Sequence, residues 1–61
     1  MCEFNVFLDG REVFNDVVFA VFKEGNVILK DVLGYSKEFK NCQIIRIDVN
    51  SQQLILASIQ E

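Results

Sequence analysis

The sequence contains no histidine, no proline and no tryptophan, and only two cysteines and three glycines among its 61 residues. Without histidine there is no imidazole base and no Ser/His or Cys/His pair, which removes the familiar triads of nucleophilic catalysis. Two isolated cysteines do not make the paired Cys or Cys and His spacings of a structural zinc site. Three scattered glycines do not make a phosphate loop. Glu12, Asp16, Asp31 and Asp48 are the carboxylates that can approach one another as an acid/base pair, but on so small a surface they read as solvating charges. The expectation is a protein that is not an enzyme. Long apolar runs are also missing: none nears the roughly 18 residues of a membrane span. The first ten residues carry Glu3 and Asp9 and no Lys or Arg, unlike the basic start of an export signal. A cytoplasmic location follows as the expectation, and in that reducing compartment Cys2 and Cys42 read as free thiols.

What the chain does have is apolar mass. Half of it (51%) is hydrophobic, six residues are phenylalanine, and the net charge is -3. The acidic balance gives no general attraction for phosphate backbones or anionic lipid. A chain this short buries only about 60% of the surface its unfolded form exposes. One domain, residues 1–61, is therefore the ceiling, and the apolar excess points to burial against a second copy.

Apolar residues recur at a spacing of two, with β-branched and aromatic types filling the runs, which predicts strands and no helix. Residues 2–8 place Cys2, Phe4, Val6 and Leu8 on one face, and Asp9-Gly10 then signals a hairpin turn. Further strands are predicted at 11–14, 17–23, 27–30, 35–40, 44–49 and 53–57, with Asn15-Asp16 and Glu24-Gly25-Asn26 as breaks. Residues 17–23 are nearly all apolar and read as the most buried strand, whereas Lys37 and Glu38 read as solvated and residues 58–61 as frayed. The fold class expected is all-β, a small curled or closed barrel (SH3-like or Sm-like) of about six to seven short antiparallel strands, because curling hides sheet edges.

Chemistry concentrates at Cys2. A cysteine beside the amino terminus joins a soft thiolate to nitrogen donors that close a five-membered chelate ring on a metal. If Met1 is removed, the donors are the α-amine and thiolate of Cys2; if it stays, its amine and the amide nitrogen of Cys2 join the same thiolate. Such donors suit metals that accept square-planar geometry, Cu(II) or, as the better match, Ni(II). One chain without Met1 supplies two donors, whereas a two-fold dimer whose N-termini meet supplies four. The competing reading of Cys2 is a small hydrophobe in phase with Phe4, Val6 and Leu8, and position alone leaves both open. Cys42, in phase with Ile44, reads as buried filler and is the second choice as a ligand. The phenylalanines and Tyr35 can be drawn as a base-stacking platform, with Lys23, Lys30, Lys37, Lys40 and Arg46 as a basic patch. Core packing for most of the rings and a solvated face for the lysines are the simpler readings.

Taken in order, Met1-Cys2-Glu3, Val6-Phe7-Leu8, Asp16-Val17, Lys30-Asp31-Val32-Leu33-Gly34, Lys37-Glu38, Ile47-Asp48 and Leu54-Ile55-Leu56 resemble the CooT-like small nickel-binding proteins over the whole length. That family also carries the older label of predicted RNA-binding protein. The resemblance implies a cytoplasmic homodimer that binds Ni(II) through Cys2, the only ligand that transfers. In the family's founding type it further implies supply of nickel to a client enzyme, carbon monoxide dehydrogenase. The alternative is an RNA-binding or protein-interaction module on the same small barrel.

Overall fold

The computed structural model describes residues 3–59. Six strands appear and no helix: β1 (Phe4–Leu8), β2 (Arg11–Lys23), β3 (Asn26–Asp31), β4 (Ser36–Lys40), β5 (Cys42–Asp48) and β6 (Gln53–Ser58). They form one sheet in the order β4-β3-β2-β1-β6-β5. Two of the turns expected from sequence are two-residue hairpin loops, Asp9-Gly10 (φ 54° and 78°) and Glu24-Gly25 (φ 53° and 79°). Positive φ at both central positions gives a turn whose twist matches that of the flanking strands, and glycine takes the second position without strain.

The expected second and third strands are one continuous strand, β2. Asn15-Asp16 does not end it; it makes a bulge. Phe4 pairs with Val17 and Val6 with Phe14, so three steps on β2 answer two on β1, and Asp16 absorbs the extra residue at φ 55°. Aspartate tolerates this left-handed conformation better than most residues. A further slip on the other side of β2, between Val17 and Phe19, sharpens the bend.

Val17 is the pivot of the molecule. β1 pairs with β2 from Arg11 up to Val17, and β3 pairs with it from Val17 to Lys23. The sheet thus folds over at Val17, and its two halves close on one core of Val6, Val17, Val27, Leu29, Cys42, Leu54 and Leu56. Cys42 N–H donates to the Gly25 carbonyl at 3.0 Å where the halves meet. β4 and β5 remain as edges, so the sheet is curled and not closed.

Four further expectations need correction. The pairing is not antiparallel throughout, because β1 and β6 run parallel, Asn5 beside Gln53 and Leu8 beside Leu56; β1 sits mid-sheet and its second neighbour is the last strand. Residues 17–23 are not the most buried strand. Only Val17 among them is buried, while Val18, Phe19, Val21 and Phe22 are exposed, because the half-sheet that β2 shares with β3 and β4 has little packed over its outer parts. Residues 58 and 59 are not frayed either: Ser58 ends β6, and Ile59 N–H donates to the Asn41 carbonyl at 2.8 Å. The aromatic core is corrected too. All seven buried residues are aliphatic or cysteine, with Phe4, Phe14 and Phe39 packed around them half-buried.

Candidate metal-binding end and apolar surface

Cys2, the first-choice ligand, lies outside the described residues. The chain that carries it enters the fold at Phe4, the start of β1, which pairs with the pivot Val17. Cys42, the second choice, is a free thiol at the start of β5, 5% exposed and within the aliphatic core, as its phase with Ile44 predicts. A thiol so placed is largely shielded from ions in solvent. Among the described residues no group of three or more His, Cys, Asp or Glu is placed to share one ion.

The four carboxylates singled out from sequence are spread along the fold. Glu12 lies opposite Phe7 in β2 and Asp16 sits in the bulge. Asp31 closes the β3–β4 loop: its Oδ1 accepts from the N–H groups of Leu33 (3.0 Å) and Tyr35 (2.9 Å). Asp48 does the same for the β5–β6 turn, accepting from Ser51 N–H at 3.2 Å. That backbone hydrogen bond to Ser51 is the main reason its carboxyl titrates below the ordinary aspartate value. Both carboxylates with side-chain hydrogen bonds are thus engaged in holding turns.

Two of the lysines lie against aromatic rings. Lys30 Nζ lies 5.4 Å from the centre of the Phe19 ring, and Lys37 Nζ lies 5.8 Å and 5.3 Å from those of Phe14 and Phe39. Lys37 also donates to the Val13 carbonyl at 3.4 Å. These cations are placed for cation–π attraction to the exposed ring of Phe19 and the half-buried rings of Phe14 and Phe39.

The sequence reading missed the extent of the apolar surface at the pivot. A hollow of about 140 Å³ opens there, lined by Phe4 of β1, residues 17–20 of β2, Ile47 of β5 and Leu54 of β6. The β3–β4 loop, which follows the pairing of Asp31 with Val17, leaves Leu33 77% exposed and Tyr35 68% exposed. The bulged Ile45 and its neighbour Ile47 extend the apolar surface along β5. The signal was present in the apolar run of 17–22, which was read as burial inside the chain. No helix of the described residues is long and apolar enough to cross a membrane.

The comparison with curated proteins finds no match. A family model does match residues 1–57, nearly the whole chain, and its description is CO dehydrogenase accessory protein CooT. The chain therefore belongs to the CooT family, whose members assist CO dehydrogenase and are not themselves the catalyst.

Proposed function

We propose that this protein carries Ni(II) as cargo for CO dehydrogenase, held by the Cys2 thiolate and the adjoining N-terminal nitrogen and completed across a homodimer in the cytoplasm. The observation that carries this reading is the family match, which runs through residue 2. Burial of Cys42 supports it, since Cys2 is the only other thiol in the chain and a soft thiolate is the donor that selects a late transition metal. A dimer is supported by the exposed apolar residues near the pivot, Val18, Phe19 and Ile47, since apolar surface in water favours association. Covalent geometry adds a distance: two residues span at most about 7 Å, so the thiol-bearing residue is tethered close to Phe4 and the hollow.

One nitrogen and one sulfur from each chain give a four-donor set when two N-termini meet, and passing the ion to a client then proceeds by exchange of one donor at a time. Titrating the reduced protein with Ni(II) should produce a thiolate-to-nickel charge-transfer band, with one ion per two chains. The band should vanish in Cys2→Ser and persist in Cys42→Ala. Undiminished nickel affinity in Cys2→Ser would refute the reading.

A further inference from the structure

We propose that the outer face of the β2–β3–β4 half-sheet docks an extended acidic segment of a partner protein, one whose carboxylates stand four residues apart with an apolar side chain midway. The inference is independent of the nickel reading.

Charge is segregated in this chain although its balance is acidic. All four lysines fall between residues 17 and 40, against three carboxylates, whereas the rest of the chain sets two arginines against six carboxylates. The strand register then sorts the lysines by face. Val27 and Leu29 of β3 are fully buried, so Asn26, Ile28 and Lys30, which alternate with them, point away from the core. Their partners share that outer face: Lys23 and Lys40 flank Asn26, Val21 and Glu38 flank Ile28, and Phe19 and Ser36 flank Lys30. Lys37 pairs with Leu29 and lies on the inner face, where its Nζ reaches Phe14 and Phe39.

The outer face is thus three rows deep, with two lysines at one end, Val21 and Ile28 in the middle and one lysine at the other end. An antiparallel sheet that meets water on one face is normally polar there, so an aliphatic row between cationic rows is a surface with something to gain from a partner. The nearby carboxylates cancel little of its charge. Asp31 turns its carboxylate onto the N–H groups of Leu33 and Tyr35, and Glu24 sits in the hairpin turn beyond the last row. Glu38 is the one carboxylate within the face, at its margin on the edge strand β4.

Spacing decides the occupant. Adjacent rows are two residues apart along a strand, about 6.8 Å, so the lysine rows are about 13 Å apart. Same-face side chains of an extended partner recur at the same interval. A carboxylate at position i and another at i+4 therefore meet lysines at both ends, while residue i+2 covers Val21 and Ile28. A nucleic acid fits this face less well: the middle row offers no ring for a base to stack on, the Phe19 ring already has Lys30 Nζ at 5.4 Å, and the chain's net charge of -3 repels a polyanion.

The test is fluorescence anisotropy with a labelled, end-capped peptide, Gly-Glu-Thr-Val-Thr-Glu-Gly, and an isomer of the same residues with its two glutamates adjacent. The protein should bind the first at least about threefold more tightly than the isomer, the difference of about one exposed ion pair, and added salt should weaken both. Lys30→Glu should weaken the spaced peptide about fivefold or more. Arg46→Glu, the same change of net charge beside Ile55 in the other half-sheet, should stay within about twofold. Lys30→Glu combined with Lys40→Glu should prefer a peptide carrying lysines in place of the glutamates. All these side chains are exposed, so circular dichroism should not change. The proposal is overturned if the two isomers bind alike, or if Arg46→Glu loses as much as Lys30→Glu, since net charge alone then explains the binding. It is also overturned if a decauridylate or phosphatidylserine vesicles bind more tightly than the spaced peptide. So does a peptide that splits an oligomer of the protein in light scattering overturn it, because the face then belongs to a second copy.

Discussion

Cys42 and Leu29 sit in the same aliphatic core, and they fail differently when changed. Leu29 is fully buried, and Leu29→Ala leaves a cavity that the bent sheet cannot refill, at a cost of about 2–5 kcal/mol. Cys42→Ala removes one sulfur and should cost about 1 kcal/mol, whereas Cys42→Ser buries a hydroxyl among aliphatic neighbours and should cost about 1–3 kcal/mol. Urea unfolding of the three variants checks the ranking; a serine variant as stable as the alanine variant would place the thiol nearer to water than its 5% exposure indicates. For this reason alanine, not serine, is the proper control for nickel binding. The sequence spoke clearly at this scale for Cys42, because its phase with Ile44 carries the information. It spoke less clearly for the phenylalanines, since hydrophobicity does not tell a ring inside the core from one lying along its margin under a lysine.

Among the elements, β2 carries the argument. Thirteen residues bend around the pivot because Asp16 takes a left-handed conformation that a β-branched residue adopts only with strain. Asp16→Val should therefore destabilise the fold by about 1–2 kcal/mol, while Asp16→Gly should change it by less than about 0.5 kcal/mol, the freedom gained at that φ offsetting the added entropy of the unfolded chain. Thermal unfolding of the pair separates a backbone effect from loss of the carboxylate, since both variants lack the charge. The turns at Asp9-Gly10 and Glu24-Gly25 were legible because their residues have few other uses. Asn15-Asp16 is also made of turn-forming residues and was read as a break, because a bulge and a turn draw on the same residue types and only the pairing of neighbouring strands decides between them. The parallel pairing of β1 with β6 lies beyond any local pattern for the same reason. Cys2, the ligand expected from sequence, lies outside the described residues, and the apolar surface was not legible: a run such as 17–22 looks the same whether its cover is its own chain or another.

Taken whole, the molecule has no buried polar or charged side chain among its described residues, and this separates two dependences on pH. The titratable group with a clear shift is Asp48, lowered chiefly by its hydrogen bond to Ser51. Its folded pKa lies below the unfolded one, so the stability it adds is present above the ordinary aspartate value and is lost as pH falls through the folded value. The fold should therefore hold from alkaline conditions down to about pH 4. On the proposed nickel reading the ion should leave far earlier, because amine and thiolate donors take up protons near pH 8 and below. Circular dichroism and the charge-transfer band followed through one acid titration should show the band gone by about pH 6 with the strands intact. Simultaneous loss of both would mean that release of the ion is unfolding.

The parallel contact between β1 and β6 also has a consequence in time. Asn5 pairs with Gln53, so the strand made first at the ribosome waits for the strand made last. Pairings this distant in sequence are slow to form, because the intervening chain must be ordered before the contact rewards it. β1 can pair early with its hairpin neighbour β2, from Leu8 beside Arg11 to Phe4 beside Val17, but its other edge stays open until β6 arrives, so the pivot and the hollow beside it are the last parts of the fold to be completed.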